Sequence, residues 1–169
     1  MQKRVLSRAL EKATRRPEEL DLIFAGDLLN QCIGSAFALK DSKVPYFGLY
    51  GACSTMAESL SLASLLLDGG FADHVCAMTG SHFCSAERQF RLPLEYGGQR
   101  TPTSQWTVTG SGALILGSNA VGPQVTHVTI GSITDAGITD ANNMGAAMAP
   151  AAYSTLKQHF QDTGRDPFY

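Results

Sequence analysis

The sequence predicts an α/β fold with a mixed, mostly parallel sheet layered with helices. Short apolar runs typical of buried strands recur along the chain, and most are followed by a segment with helical character. The chain has 169 residues, of which 44% are hydrophobic and 17% are charged, a composition ordinary for a globular domain. Because strands joined through helices usually run parallel, the alternation indicates the fold class.

The predicted elements alternate from the first residue onward. Residues 1–14 form an amphipathic helix, and further helices are expected at Leu28–Leu39, Met56–Leu67 and Ala146–Phe160. Strands are expected at Asp21–Gly26, Val44–Leu49, Ala72–Thr79, Trp106–Leu116 and Gln124–Ile133, with helix and loop mixed over Phe83–Gly98. The helix over Met56–Leu67 is nearly apolar all round, so we expect it to be buried on every side.

Composition excludes several classes of protein. The net charge of −2 and the pI near 6.0 argue against a nucleic-acid binder that relies on neutralising phosphates. The apolar runs fall short of the ~20 residues of a membrane span, and the basic N-terminus lacks the apolar centre of a signal peptide. Four cysteines without metal-ligand spacing or disulfide density predict a reducing compartment such as the cytoplasm.

The small-residue turn Gly51–Thr55 is the strongest candidate functional segment. It joins a predicted strand to a predicted helix and so places Cys53 at a helix N-terminus, where the helix dipole favours a thiolate. Cys53 is therefore a candidate nucleophile or anion contact, and the alternative is a small buried hydrophobe. Buried packing is expected for the other cysteines, Cys32, Cys76 and Cys84.

A histidine provides the second candidate. His82 follows the strand end Thr79-Gly80-Ser81, which we expect at the same sheet edge as Cys53. It is the best candidate for an acid/base group among the four histidines. The alternative is a structural residue held by hydrogen bonds, which is what we expect of His74, His127 and His159.

Four long and chemically unusual motifs point to a family. They are Ala25–Gln31, Tyr50–Glu58, Thr79–Phe90 and Gln105–Gly110. Together they resemble the stage V sporulation protein AD family, whose fold is similar to that of ketoacyl synthases and thiolases. The resemblance runs over essentially the whole chain, implies a thiolase-like fold with five-stranded sheets, and puts Cys53 at the position of the nucleophile in those enzymes.

The family resemblance implies a function. It implies a sporulation protein that binds dipicolinic acid, or its calcium chelate, and supports its uptake into the developing spore without demonstrated catalysis. Its partners would be membrane proteins of the same sporulation operon, and its location cytoplasmic, in the forespore and peripheral to the spore inner membrane. The alternative is an acyltransferase or condensing enzyme that acts on acyl-thioesters through Cys53.

A dicarboxylate ligand needs hydrogen-bond donors and positive charge. The expected ligand-binding residues are Cys53, Ser54, Asn30, Ser81, His82, Arg88 and Arg91. Asn30 could instead start a helix, and each arginine could instead be solvated at the surface. The sequence has no calcium-binding loop, so we expect no metal site and no cofactor, with calcium entering only as part of the chelate.

The resemblance also implies that the chain is incomplete. Residues 1–122 would form an N-terminal thiolase-like half without its first strand, and residues 123–169 would begin the C-terminal half. With a strand order of 3-2-1-4-5, a gap would separate Asp21–Gly26 from Ala72–Thr79. Val44–Leu49 would form the edge through which a homodimer assembles.

Overall fold

The computed structural model describes residues 1–84, 108–119, 121–140 and 143–168. The chain divides into two compact units. The described residues up to 124 belong to the first unit, which contains a sheet, and those from 125 onward belong to the second.

Four strands form one mixed sheet in the first unit. The strands are β1 (Leu22–Asp27), β2 (Tyr46–Leu49), β3 (His74–Ser81) and β4 (Gly110–Gly117). Their order is β2-β1-β3-β4, with β1 parallel to both of its neighbours and β4 antiparallel to β3. The α/β class and the mixed, mostly parallel sheet are confirmed, with four strands in the described part of the chain rather than five.

The expected gap in the middle of the sheet is wrong. β1 and β3 are direct neighbours in a parallel ladder in which Ile23 lies opposite Cys76. Buried backbone N–H and C=O groups need partners, and these two strands provide them for each other. β2 and β4 are consequently the outer strands of the described sheet.

Among the described residues, three longer helices flank the sheet: α1 (Gln2–Ala13), α2 (Ile33–Leu39) and α3 (Thr55–Asp68). The prediction of one continuous helix over Leu28–Leu39 is wrong at its start. A single 3₁₀ turn over Asn30–Cys32 precedes α2, and Gln31 and Cys32 adopt left-handed backbone angles that a continuous α-helix does not contain. None of the helices in the described ranges is long and apolar enough to cross a membrane.

The core lies on both faces of the sheet. Successive strand residues point to opposite faces, so Ile23 and Ala25 face one side and Phe24 the other. On the first side, Ile23 and Ala25 belong to a cluster that includes residues of α1, α2 and β3: Leu6, Leu10, Leu20, Leu39, Cys76 and Met78. The other side packs Phe24, Val75 and Ala77 against Ala63 of α3. A sheet covered by helices on both faces accounts for strands that are apolar at successive positions.

Helix α3 is buried on one face only, contrary to the expectation from its sequence. Thr55, Ser59 and Ala63 are buried, whereas Leu65 is 50% exposed. The buried residues are spaced four apart and form the stripe that packs on the sheet. Most leucines of α3 flank this stripe and are partly buried against the same core: Leu60, Leu62, Leu66 and Leu67.

The second unit contains helix α4 (Met144–Thr163). Asn143 caps its start by accepting a hydrogen bond from the Ala146 N–H at 3.2 Å. The predicted strand over Gln124–Ile133 is wrong, because the described residues there adopt no regular structure. A strand needs a hydrogen-bonded neighbour, and the described part of this unit contains no other strand.

Gly26, the single glycine of β1, has no room for a side chain. A Cβ atom there would collide with the Leu49 carbonyl oxygen and with Cγ2 of Thr55. We expect Gly26→Ala to lower the free energy of unfolding by about 1–3 kcal/mol, measured by urea denaturation. Gly110→Ala in β4 is the matched control, since its Cβ would meet open space. Equal stability of the two variants would contradict this account.

Candidate functional site

The carboxyl ends of β1, β2 and β3 meet at one edge of the sheet, because the three strands are parallel. The strands end at Asp27, Leu49 and Ser81. The segments that follow them carry the predicted site residues Asn30, Cys53, Ser54 and His82. Since β1 separates β2 from β3, the strands that lead to Cys53 and His82 lie about 10 Å apart.

Cys53 lies in a 3₁₀ turn, Ala52–Ser54, that leads directly into α3. The turn is held by its own hydrogen bonds: the Ser54 Oγ donates to the Gly51 carbonyl at 2.7 Å, and the Gly51 N–H donates to Thr55 Oγ1 at 3.2 Å. The Cys53 side chain is exposed, which excludes a small buried hydrophobe. The predicted position at the start of a helix is therefore confirmed, with an accessible thiol.

The start of α3 combines the positive end of a helix dipole with one carboxylate. No side chain caps α3, but the N–H groups of Ser54 and Thr55 donate to the carbonyls of Gly51 and Ala52 in the 3₁₀ turn. The positive end of the helix dipole favours an anion at this turn. Glu58 lies in the first helical turn, and its Oε2 is 2.6 Å from the point that a Cβ of Gly51 would occupy. A negative charge on Glu58 therefore opposes the approach of an anion to the same turn.

Asp27 organises the loop after β1. Its buried carboxylate accepts hydrogen bonds from the Leu29 N–H at 2.9 Å, and from the N–H and Oγ of Ser35, both at 2.7 Å. These bonds tie the end of β1 to the first turn of α2. Asp27 and Ser35 were not among the predicted site residues. The signal for Asp27 was available, because an acid directly after a buried strand needs donors in the loop that follows.

A cavity of about 190 Å³ lies beside this loop. Ser81 and His82 line it, together with Met1, Gln2, Asp27, Leu28, Leu29, Gly34, Ala38 and Gly80. Cys53, Ser54 and Asn30 are not part of its wall. The structure therefore groups two of the predicted ligand residues, Ser81 and His82, with Asp27 and Gln2.

The remaining predicted ligand residues have different positions. Asn30 is exposed and begins the 3₁₀ turn before α2. Arg88 and Arg91 lie outside the described residues. Within the described ranges there is no group of three or more His, Cys, Asp or Glu residues that could hold a metal ion.

The other cysteines differ from one another in exposure. Cys32 and Cys76 are buried as expected, whereas Cys84 is exposed, contrary to expectation. Burial raises the pKa of Cys76 to about 12. Burial and the nearby Asp27 carboxylate raise the pKa of Cys32, whose Sγ donates to the Leu49 carbonyl at 2.9 Å.

The sequence matches one family model and is similar to one characterised protein. The family model described as stage V sporulation protein AD (SpoVAD) matches residues 1–169. Stage V sporulation protein AD of Bacillus subtilis (strain 168) is 48% identical to this chain over 157 residues. That alignment covers 93% of this chain and 46% of the relative, so the chain spans about half of the relative's length.

Solved structures with a similar fold are condensing enzymes. A priming β-ketosynthase from a polyketide biosynthetic pathway aligns with a TM-score of 0.51 and 23% identity, over 78% of this chain and 36% of that protein. 3-Oxoacyl-(acyl carrier protein) synthase III of Pseudomonas aeruginosa aligns with a TM-score of 0.50 and 18% identity, over 70% of this chain and 36% of that protein. At these identities the likeness shows the thiolase-like fold and nothing further about activity.

The four thiols are expected to differ in reactivity with iodoacetamide at neutral pH. Cys53 and Cys84 are exposed and should be alkylated readily, whereas Cys32 and Cys76 should be protected, because the thiolate is the reactive form and burial raises both of their pKa values. Peptide mass spectrometry measures the modification at each site. Denaturation in urea is the control and should make all four react. Labelling of Cys76 in the folded protein at the rate of Cys53 would contradict the assignment.

Proposed function

The chain belongs to the stage V sporulation protein AD family, and from that membership we propose that it is part of a sporulation protein that binds dipicolinic acid or its calcium chelate. The family match over residues 1–169 is the observation that carries this proposal. We further propose that binding supports uptake of the ligand into the developing spore. The protein would act in the forespore, peripheral to the spore inner membrane, beside membrane proteins of the same operon.

The Cys53 turn is the ligand contact that we propose on this edge of the sheet. The 3₁₀ turn that leads into α3 presents the positive end of a helix dipole to a carboxylate. The Ser54 hydroxyl already donates to Gly51, so its oxygen remains free to accept a further hydrogen bond. The exposed Cys53 thiol would then contact the ligand without needing to be a nucleophile.

Charge at this turn favours one form of the ligand. Free dipicolinate is a dianion at neutral pH, whereas calcium balances both carboxylates in the chelate. Glu58 beside Gly51 repels the dianion and leaves the neutral chelate largely unaffected. We therefore propose the calcium chelate as the preferred ligand of this turn.

Isothermal titration calorimetry with dipicolinate, with and without equimolar calcium, tests this proposal. The chelate should bind more tightly than the free dianion. Glu58→Gln should strengthen binding of the dianion about fivefold, the effect of removing a like charge worth about 1 kcal/mol, and should leave binding of the chelate nearly unchanged. Glu18→Gln, at an exposed position of the first unit, is the matched control and should change neither affinity. Absence of binding in both forms of the ligand would refute the proposed function.

The alternative function is acyl transfer through Cys53. The exposed thiol at a helix start is the observation that favours it. In that reaction the Cys53 thiolate attacks the thioester carbonyl, a new thioester forms on Sγ, and the original thiol leaves. In the same protein sample, intact mass spectrometry after incubation with acetyl-coenzyme A detects such an adduct, with Cys53→Ala as the control. An adduct without dipicolinate binding would favour the enzyme over the binding protein.

A second copy of the chain is the partner that we propose for strand β2. β2 is an outer strand of the described sheet, and its Phe47 side chain is 59% exposed. Phe47 stacks on Phe24 with ring centroids 5.8 Å apart and an interplanar angle of 15°, so the exposed ring is held in a defined position. An exposed apolar edge strand needs a cover, and pairing with its copy about a twofold axis would provide one.

Phe47→Lys tests the proposed dimer. The introduced charge would face its copy across the twofold axis, so we expect the variant to sediment as a monomer and the unmodified protein as a dimer in analytical ultracentrifugation. Phe71→Lys is the matched control, because Phe71 is 80% exposed and lies in the turn after α3. A monomeric unmodified protein, or a dimer that persists in Phe47→Lys, would contradict pairing through β2.

A further inference from the structure

Positive charge is concentrated at the start of the first unit. Residues 1–16 contain six lysines and arginines and one acid, whereas the remaining residues contain seven lysines and arginines and fourteen acids. The first sixteen residues therefore carry a net charge of +5 and the remainder −7, so the total of −2 combines two oppositely charged parts. Two of the six cations, Arg15 and Arg16, both contact Glu19, which leaves four along α1.

Helix α1 carries most of these cations in one stripe. Arg4, Arg8 and Lys12 are spaced four residues apart, so they lie one above the other along the helix. All three are exposed, whereas the opposite face of α1 contributes Leu6 and Leu10 to the core. The stripe therefore faces solvent along the length of the helix.

A loop beside α1 adds further positive charge. Lys3 Nζ lies 3.3 Å from Asp41 Oδ2, which places the loop between α2 and β2 next to the start of α1. Lys40 and Lys43 of that loop are exposed, and neither has an ion pair among the described residues. The six cations of α1 and this loop are called the basic surface: Lys3, Arg4, Arg8, Lys12, Lys40 and Lys43.

Two acids in contact with the basic surface, Glu11 and Asp41, neutralise only part of it. Each forms an ion pair with one cation, and the side chains in these pairs are 62–70% exposed. Ion pairs between exposed groups contribute little, so their cations remain available to another anion. Arg4 and Lys12 have no ion pair within the described part of the chain. With both acids counted, the surface keeps a net charge of +4.

We propose that the basic surface docks on an anionic phospholipid membrane, with α1 lying along the bilayer surface. A membrane presents a plane of negative headgroups, which cations on one face of a domain can contact together. The exposed residues from Lys3 to Lys12 are all charged or polar, so the contact is electrostatic and inserts no apolar side chain of α1. A nucleic acid that surrounds more of the protein would also meet the acidic remainder of the chain.

This contact gives a lipid partner to the peripheral location proposed above, and it rests on that proposal for its place in the cell. It uses the face of the sheet that α1 covers, whereas the Cys53 turn leads into α3, which packs on the other face. Membrane docking and ligand binding can therefore fail independently of each other.

Sedimentation with lipid vesicles tests the docking. The chain should bind vesicles of phosphatidylcholine mixed with phosphatidylglycerol, which is anionic, and should not bind vesicles of phosphatidylcholine alone. Raising the salt from about 0.1 M to about 1 M shortens the Debye length from about 10 Å to about 3 Å and should release the bound protein.

The double variant Arg4→Gln/Lys12→Gln locates the contact. Each cation near an anionic surface contributes about fivefold to the affinity, so we expect about 25-fold weaker binding to the anionic vesicles. Both positions are exposed and glutamine is a good helix former, so α1 should stay folded, which circular dichroism checks. Lys157→Gln/Arg165→Gln is the matched control, since it removes the same charge from exposed positions of the second unit and should bind normally.

Four results would overturn the proposal. They are absence of binding to anionic vesicles, equal binding to neutral and anionic vesicles, equal weakening in the two double variants, and binding to a DNA duplex in place of anionic vesicles. Each of them leaves the calorimetric test of dipicolinate binding unaffected, so failure of the docking surface is distinguishable from failure of the proposed function.

Discussion

The pairing of β1 with both β2 and β3 is the constraint on which the first unit depends. β1 is parallel to both neighbours and is apolar on both faces, so it joins the two halves of the core and brings three strand ends to one edge. Gly26 shows how closely β1 packs against β2 and α3, because the Leu49 carbonyl and Thr55 occupy the space that a side chain at this position would need. The position of the Cys53 turn relative to the β1 loop therefore follows from backbone pairing and not from any contact made by the cysteine itself.

Two environments result at this edge. At the Cys53 turn, the positive end of the α3 dipole attracts an anion while Glu58 repels it, so the net charge of a ligand decides how well it binds there. At the β1 loop, the Asp27 carboxylate accepts three hydrogen bonds, from Leu29 and Ser35, and Gln2 Oε1 is buried without a partner among the described residues. The end of β1 thus lies between a turn with a helix dipole and a loop that is held together by buried hydrogen bonds.

Patterns within single segments predicted most of the elements. The apolar runs that became β1, β2 and β3 and the amphipathic pattern of α1 lie within a few residues of their observed positions. The predictions were wrong where a neighbouring strand or sheet decides the structure of a segment. The alternating residues before Ile133 satisfy a strand pattern but have no neighbouring strand in the described part of their unit, and α3 contacts the sheet with one face only. The expected gap between β1 and β3 came from the strand order attributed to the family, which the observed pairing overturns.

The sequence by itself determined the α/β class, the family and the position of Cys53 at the start of a helix, because each depends on residues close together along the chain. Only the tertiary structure decided that Cys53 is exposed, that Glu58 lies beside its turn, and that Gln2 lines one cavity with Ser81 and His82. Gln2 and Gly80 are far apart in sequence, and Gln2 lies outside the four family motifs. The packing of α1 against the sheet brings Gln2 next to Gly80. Burial and hydrogen bonding of a side chain depend on all the groups around it, so they are decided by the tertiary structure.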